Sequence, residues 1–90
     1  MKTVAIDFDG VIHSYMTKWE GASIIPDPPV EGAFNMVLEY MENFRVVIMS
    51  SRARHDGTIE AMRNWFLKHG FPADKLEKLE ITGTKIPATL

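Results

Sequence analysis

Asp7 and Asp9 stand two residues apart at the end of a short apolar run, Val4-Ala5-Ile6. In an extended chain residues i and i+2 point to the same side, so this spacing sets two carboxylates next to each other. Carboxylates that close repel unless a proton or a cation separates them. The pair therefore suits general acid–base work, or a hard divalent ion such as Mg²⁺ that prefers oxygen ligands. Gly10 follows at once, and Asp-x-Asp-Gly is also an ordinary turn sequence, so a solvated strand end is the competing reading. Two more groups follow apolar runs. Ser50, Ser51 and Arg52 come after Val46-Val47-Ile48-Met49, and Lys85 comes soon after Leu79-Glu80-Ile81. Polar residues that follow such runs are the ones to examine for a site. Ser50 can equally satisfy a strand end, and Lys85 can equally be a solvated loop lysine.

The elements that would position these groups follow from the pattern of apolar residues. Thr3 to Phe8 predicts a buried strand, broken by Gly10. Residues 11 to 30 predict no helix, since Gly21, Pro26, Pro28 and Pro29 interrupt them; a loop of that length is usually functional or mobile. Within it, His13 to Tyr15 and Ser23 to Ile25 are expected to pair as a small hairpin. Glu31 to Asn43 predicts a helix whose stripe is Phe34, Val37, Leu38 and Met41, with Glu31 in the first turn. Phe44 to Met49 predicts the second strand. Asp56 is the expected N-cap of a second helix that runs to His69 and stops at Gly70. Its stripe is Ile59, Met62 and Phe66, and Trp65 is expected to be partly buried. Leu79 to Ile81 predicts a third strand, and residues 88 to 90 read as the opening of a fourth. Strand, helix, strand, helix, strand is the order of an α/β layered domain with a mostly parallel sheet. Ligands bind beyond the carboxyl ends of such strands, where the polar residues named above stand.

Composition narrows the function classes. The chain has 90 residues, enough for one domain, 1–90, with a thin core. Ten Lys+Arg against twelve Asp+Glu give a net charge of −2, so there is no general attraction to nucleic acid or to an anionic membrane. With no cysteine, disulfides, thiolate chemistry and Cys-type zinc sites are excluded. The N-terminal residues meet charge too early for a signal peptide, and no apolar run reaches membrane-spanning length. A cytoplasmic location is expected.

Val-Ala-Ile-Asp-Phe-Asp-Gly-Val, residues 4 to 11, resembles the first signature of the haloacid dehalogenase-like phosphohydrolases, a hydrophobic strand followed by Asp-x-Asp-Gly-Thr/Val. Val-Val-Ile-Met-Ser at 46 to 50 is similar to the family's second signature, a Ser or Thr ending a strand. Lys85 matches the lysine of the third. The resemblance implies a three-layer Rossmann-like fold and a Mg²⁺-dependent phosphatase acting through an aspartyl-phosphate. Asp7 would be the nucleophile, and Asp9 the acid that protonates the leaving oxygen and then deprotonates water. Asp7 and the Asp9 carbonyl would hold Mg²⁺, and Lys85 would neutralise charge between phosphate and nucleophile. Ser50 would hydrogen-bond a phosphate oxygen, with Gly10, Ser51 and Arg52 assigned to the same substrate site. The substrate would be a phosphorylated small molecule or the phosphorylated end of a macromolecule. Ser-Ser-Arg-Ala-Arg is faintly similar to polynucleotide phosphatases, which keeps nucleic acid among the candidates. The loop 11–30 would form a flap instead of a cap domain.

Arg52, Arg54 and His55 can contact a phosphate or a substrate tail, or be solvated loop residues. His13 reads as a loop residue, not a metal ligand. Tyr15 and Trp19 read as packing along the flap, with stacking on a substrate ring as the other possibility.

The family's fourth signature is an acidic residue or pair after the fourth strand. The sequence ends at Leu90 with no acidic residue after Lys85, so a fold incomplete at its C-terminus is expected. Strand one would then be an exposed edge carrying Val4, Ile6 and Phe8, covered by a longer parent protein, a partner chain or another copy of this one. Two other readings compete. One is a catalytically inactive phosphate-binding or interaction module. The other is a phosphate-accepting receiver domain, which places its acidic pair on the first strand and its phosphorylated Asp on a later one. No later strand here ends in Asp.

Overall fold

The computed structural model describes residues 1–86. β1 (Thr3–Asp7) leads through the flap to α1 (Ala33–Met41) and then β2 (Arg45–Met49). A short 3-10 helix (Ser51–Arg54), α2 (Thr58–Lys68), α3 (Ala73–Leu76) and β3 (Glu80–Thr82) complete the order. The three strands form one parallel sheet in the order β1-β2-β3. Its register pairs Asp7 with Met49 and Met49 with Thr82, so the carboxyl ends of all three strands lie level. Whatever follows those ends is gathered in one place.

Alternation along the strands sets the core. Val4, Ile6 and Phe8 point to one face of β1, and Val46 and Ile48 stand beside them on β2. Ala33 and Val37 of α1 join this cluster, with Met62, Trp65 and Phe66 of α2 and Leu76 of α3. Phe34 stacks on Phe66, and both meet Phe71 edge to face. Both long helices therefore cover the same face. Two successive right-handed crossovers, taken in the strand order one-two-three, put them there. The described residues thus form an α/β architecture, a parallel sheet with both long helices packed on one face.

Several expected boundaries move, each for a local reason. Glu31 lies outside α1, because Gly32 at φ 81° sits at the N-cap position. Asp56 does not cap α2: Gly57 holds that position at φ 78°, with no side-chain hydrogen bond. A left-handed glycine turns the chain into each long helix, a conformation other residues rarely adopt. Trp65 is buried outright, its indole N–H donating to the Asp27 carbonyl at 2.9 Å. The short helix α3, absent from the sequence reading, rests on α2, where Arg63 donates to the Leu76 and Leu79 carbonyls. Val4, Ile6 and Phe8 are buried instead of exposed, and β1 pairs with β2 alone among the described residues. The expected fourth strand at 88–90 lies outside the described residues. No helix among the described residues is long and apolar enough to cross a membrane.

The flap closes differently from the expected hairpin. Its two ends pair: Ser14 N–H donates to the Pro28 carbonyl at 3.0 Å and Val30 N–H to the Ile12 carbonyl at 2.8 Å. Prolines lack an N–H but keep the carbonyl, so Pro28 serves as acceptor at this neck. Ser23 to Ile25 is left to other partners. A second tie sits inside the neck, where the Asp27 carboxylate accepts from Thr17 N–H at 2.7 Å and from Thr17 Oγ1 at 2.6 Å. The Thr17 hydroxyl, with the Thr17 amide behind it, holds the Asp27 carboxyl below the usual aspartate range. A depressed carboxyl stabilises the folded state above its unfolded pKa, and that contribution is lost as pH falls through the folded value. Protection of the amides across residues 14 to 28, taken relative to their intrinsic exchange at each pH, is accordingly expected to fall in acid below the ordinary aspartate range. Thr17→Val, which loses the hydroxyl but keeps the amide, should weaken this acid dependence. Exchange that keeps the same acid response in the variant would refute it.

Candidate functional site

Beyond the level strand ends lies a cleft of about 180 Å³ lined by Asp7, Met49, Ser50, Ser51, Arg54, Gly83 and Lys85. Asp7 is exposed at the end of β1, and its carboxylate has no hydrogen-bond or ion-pair partner among the described residues. Ser50 follows β2 and is anchored by its own N–H, which donates to the Thr82 carbonyl at 3.0 Å. Its hydroxyl accepts from Arg52 N–H at 3.3 Å and so caps the 3-10 helix that carries Ser51 and Arg54 past the cleft. One carboxylate, two hydroxyls and two cations converge here. Size alone does not choose this site, since two hollows of about 370 Å³ lie elsewhere. One of these gathers Glu39 and Glu42 without a cation, and the other Arg45, Lys75 and Lys78 without a carboxylate.

Gly83 lets the β3 end approach. A Cβ there would stand 2.6 Å from Arg54 Cγ and 2.9 Å from the Arg54 backbone nitrogen. The second contact is with main chain and cannot swing aside. Arg54 Nε also donates to the Gly83 carbonyl at 2.9 Å, locking the two segments together. Gly83→Ala is therefore expected to push the Lys85 loop away from the 3-10 helix and to destabilise by about 1–3 kcal/mol, the usual cost of overpacking. Urea unfolding measures it, and a change below a few tenths of a kcal/mol would refute the close fit.

Asp9 is not among the residues that line this cleft; its carboxylate sits in a clamp beside Ser50, which is one of them. Arg52 grips its carboxylate with two prongs, Nε to Oδ2 at 2.9 Å and Nη2 to Oδ1 at 2.7 Å. His13 Nδ1 lies 2.8 Å from Oδ1, and the Ser50 hydroxyl reaches Oδ2 at 3.4 Å. The remaining guanidinium nitrogen, Nη1, donates to the Ala22 and Ile24 carbonyls of the flap at 2.9 and 3.1 Å. Trp19 covers the guanidinium at 4.8 Å from its ring centre. Arg52 is only 2% exposed as a result. It ties Asp9 to the flap, while Arg54 is the loop arginine at the cleft.

His13 is buried as well, stacked between Phe8 and Tyr15 with Trp65 at its edge. Sequence reasoning passed it over because nothing local distinguishes a loop histidine that folds inward from one that is solvated. Tyr15 beside it takes φ 50°, a strained value for a side chain of that size. Gly10, at φ 85°, donates its N–H to the His13 carbonyl at 2.7 Å, so that donor is committed within the turn.

Asp7 is the one carboxylate at the cleft among the described residues, and no group of three or more His, Cys, Asp or Glu able to hold a metal occurs among them. A single carboxylate is too few protein ligands for a closed metal cage. The chain matches no known protein family, no curated protein and no solved structure.

Proposed function

We propose that this chain is a phosphohydrolase of the haloacid dehalogenase type, with the three-layer fold of that family as the finer form of the α/β architecture. The observation that carries the proposal is the convergence of Asp7, Ser50 and Lys85, from three different strand ends, on one cleft. Asp7 attacks phosphorus and the bond to the leaving oxygen breaks, giving an aspartyl-phosphate. Asp9 gives that oxygen its proton and then takes one from the water that releases inorganic phosphate and restores Asp7. Ser50 and Ser51 donate hydrogen bonds to phosphate oxygens. Lys85 and Arg54 offset the charge of an anionic nucleophile meeting an anionic phosphate. Mg²⁺, bound through Asp7, would supply further positive charge at those oxygens. The phosphate group of a small molecule or of a macromolecule's end fits an open cleft of this size.

The test is hydrolysis of an activated aryl phosphate with and without Mg²⁺. Turnover that requires the ion supports the reading, and turnover unchanged by a chelator opposes it. A second reading, a phosphate-binding module without turnover, is favoured by one observation: both oxygens of Asp9 are already engaged by Arg52 and His13. It predicts that inorganic phosphate binds at the cleft while no ester is hydrolysed.

A further inference from the structure

We propose that His13 is a positioning residue, one that presents a single oxygen of Asp9, Oδ2, for proton transfer by donating from Nδ1 to the other. The inference rests on the phosphohydrolase reading and adds to it which oxygen works and what holds it.

The hydrogen-bond directions are forced by the partners. The Asp27 backbone N–H, which can only donate, points at His13 Nε2 at 3.2 Å. Nε2 must then be the bare, accepting nitrogen, and the ring proton resides on Nδ1. Nδ1 is the atom 2.8 Å from Asp9 Oδ1. The Asp27 carboxylate does not compete for Nε2. It stands 3.7 Å away, and Thr17 already donates to both of its oxygens. Phe8, Tyr15 and Trp65 wall the imidazole on its faces and edge, leaving it 1% exposed and unable to turn over freely.

Counting lone pairs at Asp9 then separates its two oxygens. Oδ1 accepts from both Arg52 Nη2 at 2.7 Å and His13 Nδ1 at 2.8 Å, which fills it. Oδ2 accepts firmly from Arg52 Nε alone, and its other contact is the long 3.4 Å approach of the Ser50 hydroxyl. Ser50 lines the cleft and its hydroxyl is the group that reaches Oδ2, so the oxygen with spare capacity is the one linked to the cleft through Ser50. Arg52 already holds the carboxylate with two prongs, and what the His13 donor adds is to fill Oδ1 and leave Oδ2 as the less occupied oxygen.

The test has a spectroscopic arm and a kinetic arm, both on the full chain. Long-range proton–nitrogen correlation spectra of histidine-labelled protein at neutral pH are expected to show His13 as the Nδ1–H tautomer. An Nε2–H pattern would overturn the proposal. In the kinetic arm, His13→Asn keeps an amide donor near the Nδ1 position, whereas His13→Gln moves it toward Nε2. The Gln variant is expected to lose about tenfold or more in kcat on an alkyl phosphate, whose leaving oxygen needs a proton. The same variant should change little on a nitrophenyl phosphate, whose leaving group does not, and KM should hold for both esters. The Asn variant should recover most of the alkyl rate. Equal losses on both esters, or no difference between Asn and Gln, would mean that His13 serves folding alone. If the unaltered chain hydrolyses neither ester, the phosphohydrolase reading falls. The tautomer spectrum would then still decide whether His13 donates to Asp9.

Discussion

Arg52→Met is expected to lower the stability of the fold by about 3 kcal/mol and to release the flap. Removing one member of a buried ion pair usually costs about 3–5 kcal/mol, because the other charge is left without a partner. The lower end applies because the Asp9 side chain is 20% exposed and water can reach it in part. The loss extends beyond Asp9, since the same guanidinium satisfies the Ala22 and Ile24 carbonyls and supports Trp19. Domains of this size have a margin of only about 5–15 kcal/mol, so the effect is large. Urea unfolding gives the total, and amide exchange across residues 14 to 28 gives the local part. A loss under about 1 kcal/mol with unaltered flap exchange would contradict the clamp. Pairing Arg52→Met with Asp9→Leu should be milder than Arg52→Met alone, because no charge is stranded.

The second large effect concerns chemistry alone. Asp7→Asn is expected to reduce turnover by at least about a thousandfold, since a carboxamide is too poor a nucleophile to form the covalent intermediate. Stability should stay within about 0.5 kcal/mol, as for other exposed substitutions. Asp7 has no side-chain partner to lose among the described residues. Phosphate affinity should rise, because the variant keeps Arg54 and Lys85 at the cleft but removes the one carboxylate that repels an anion. Residual activity above a tenth of the original would exclude Asp7 as the nucleophile. Weakened phosphate binding would argue that its charge holds a cation instead of repelling the ligand.

The contrast between the two aspartates shows what a sequence exposes. Asp7, Ser50 and Lys85 were singled out by the resemblance of their surroundings to family signatures. Asp7 ends β1 while the other two follow later strands, and a parallel sheet brings such positions together. The two long helices were legible from apolar spacing, although their starts were not. Gly32 and Gly57 take left-handed turns there, and the nearby acidic residues Glu31 and Asp56 look like better helix openers than they are. The Asp9 clamp was not legible. Its bonds to Arg52 join residues more than forty positions apart, and no periodicity records such a pairing. His13 and Arg52 are polar residues in predicted loops, where solvation is the ordinary expectation. Only tertiary packing reveals that both are interior. The four residues of α3 are too few to leave a periodic trace.

The parallel pairing of β1 with β2 also governs how the chain must come together. Thr3 meets Arg45, and nothing nearer in sequence pairs with β1 along its length. During synthesis the first strand therefore emerges and waits for about forty more residues, on the order of 2–8 s at cellular elongation rates. Throughout that interval Val4, Ile6 and Phe8 have no sheet to join. Closing so long a loop before any ladder forms also slows refolding from denaturant, relative to a helical chain of equal length. Nascent chains released at residue 44 should bind a chaperone that recognises extended apolar segments, and chains released at residue 86 should not.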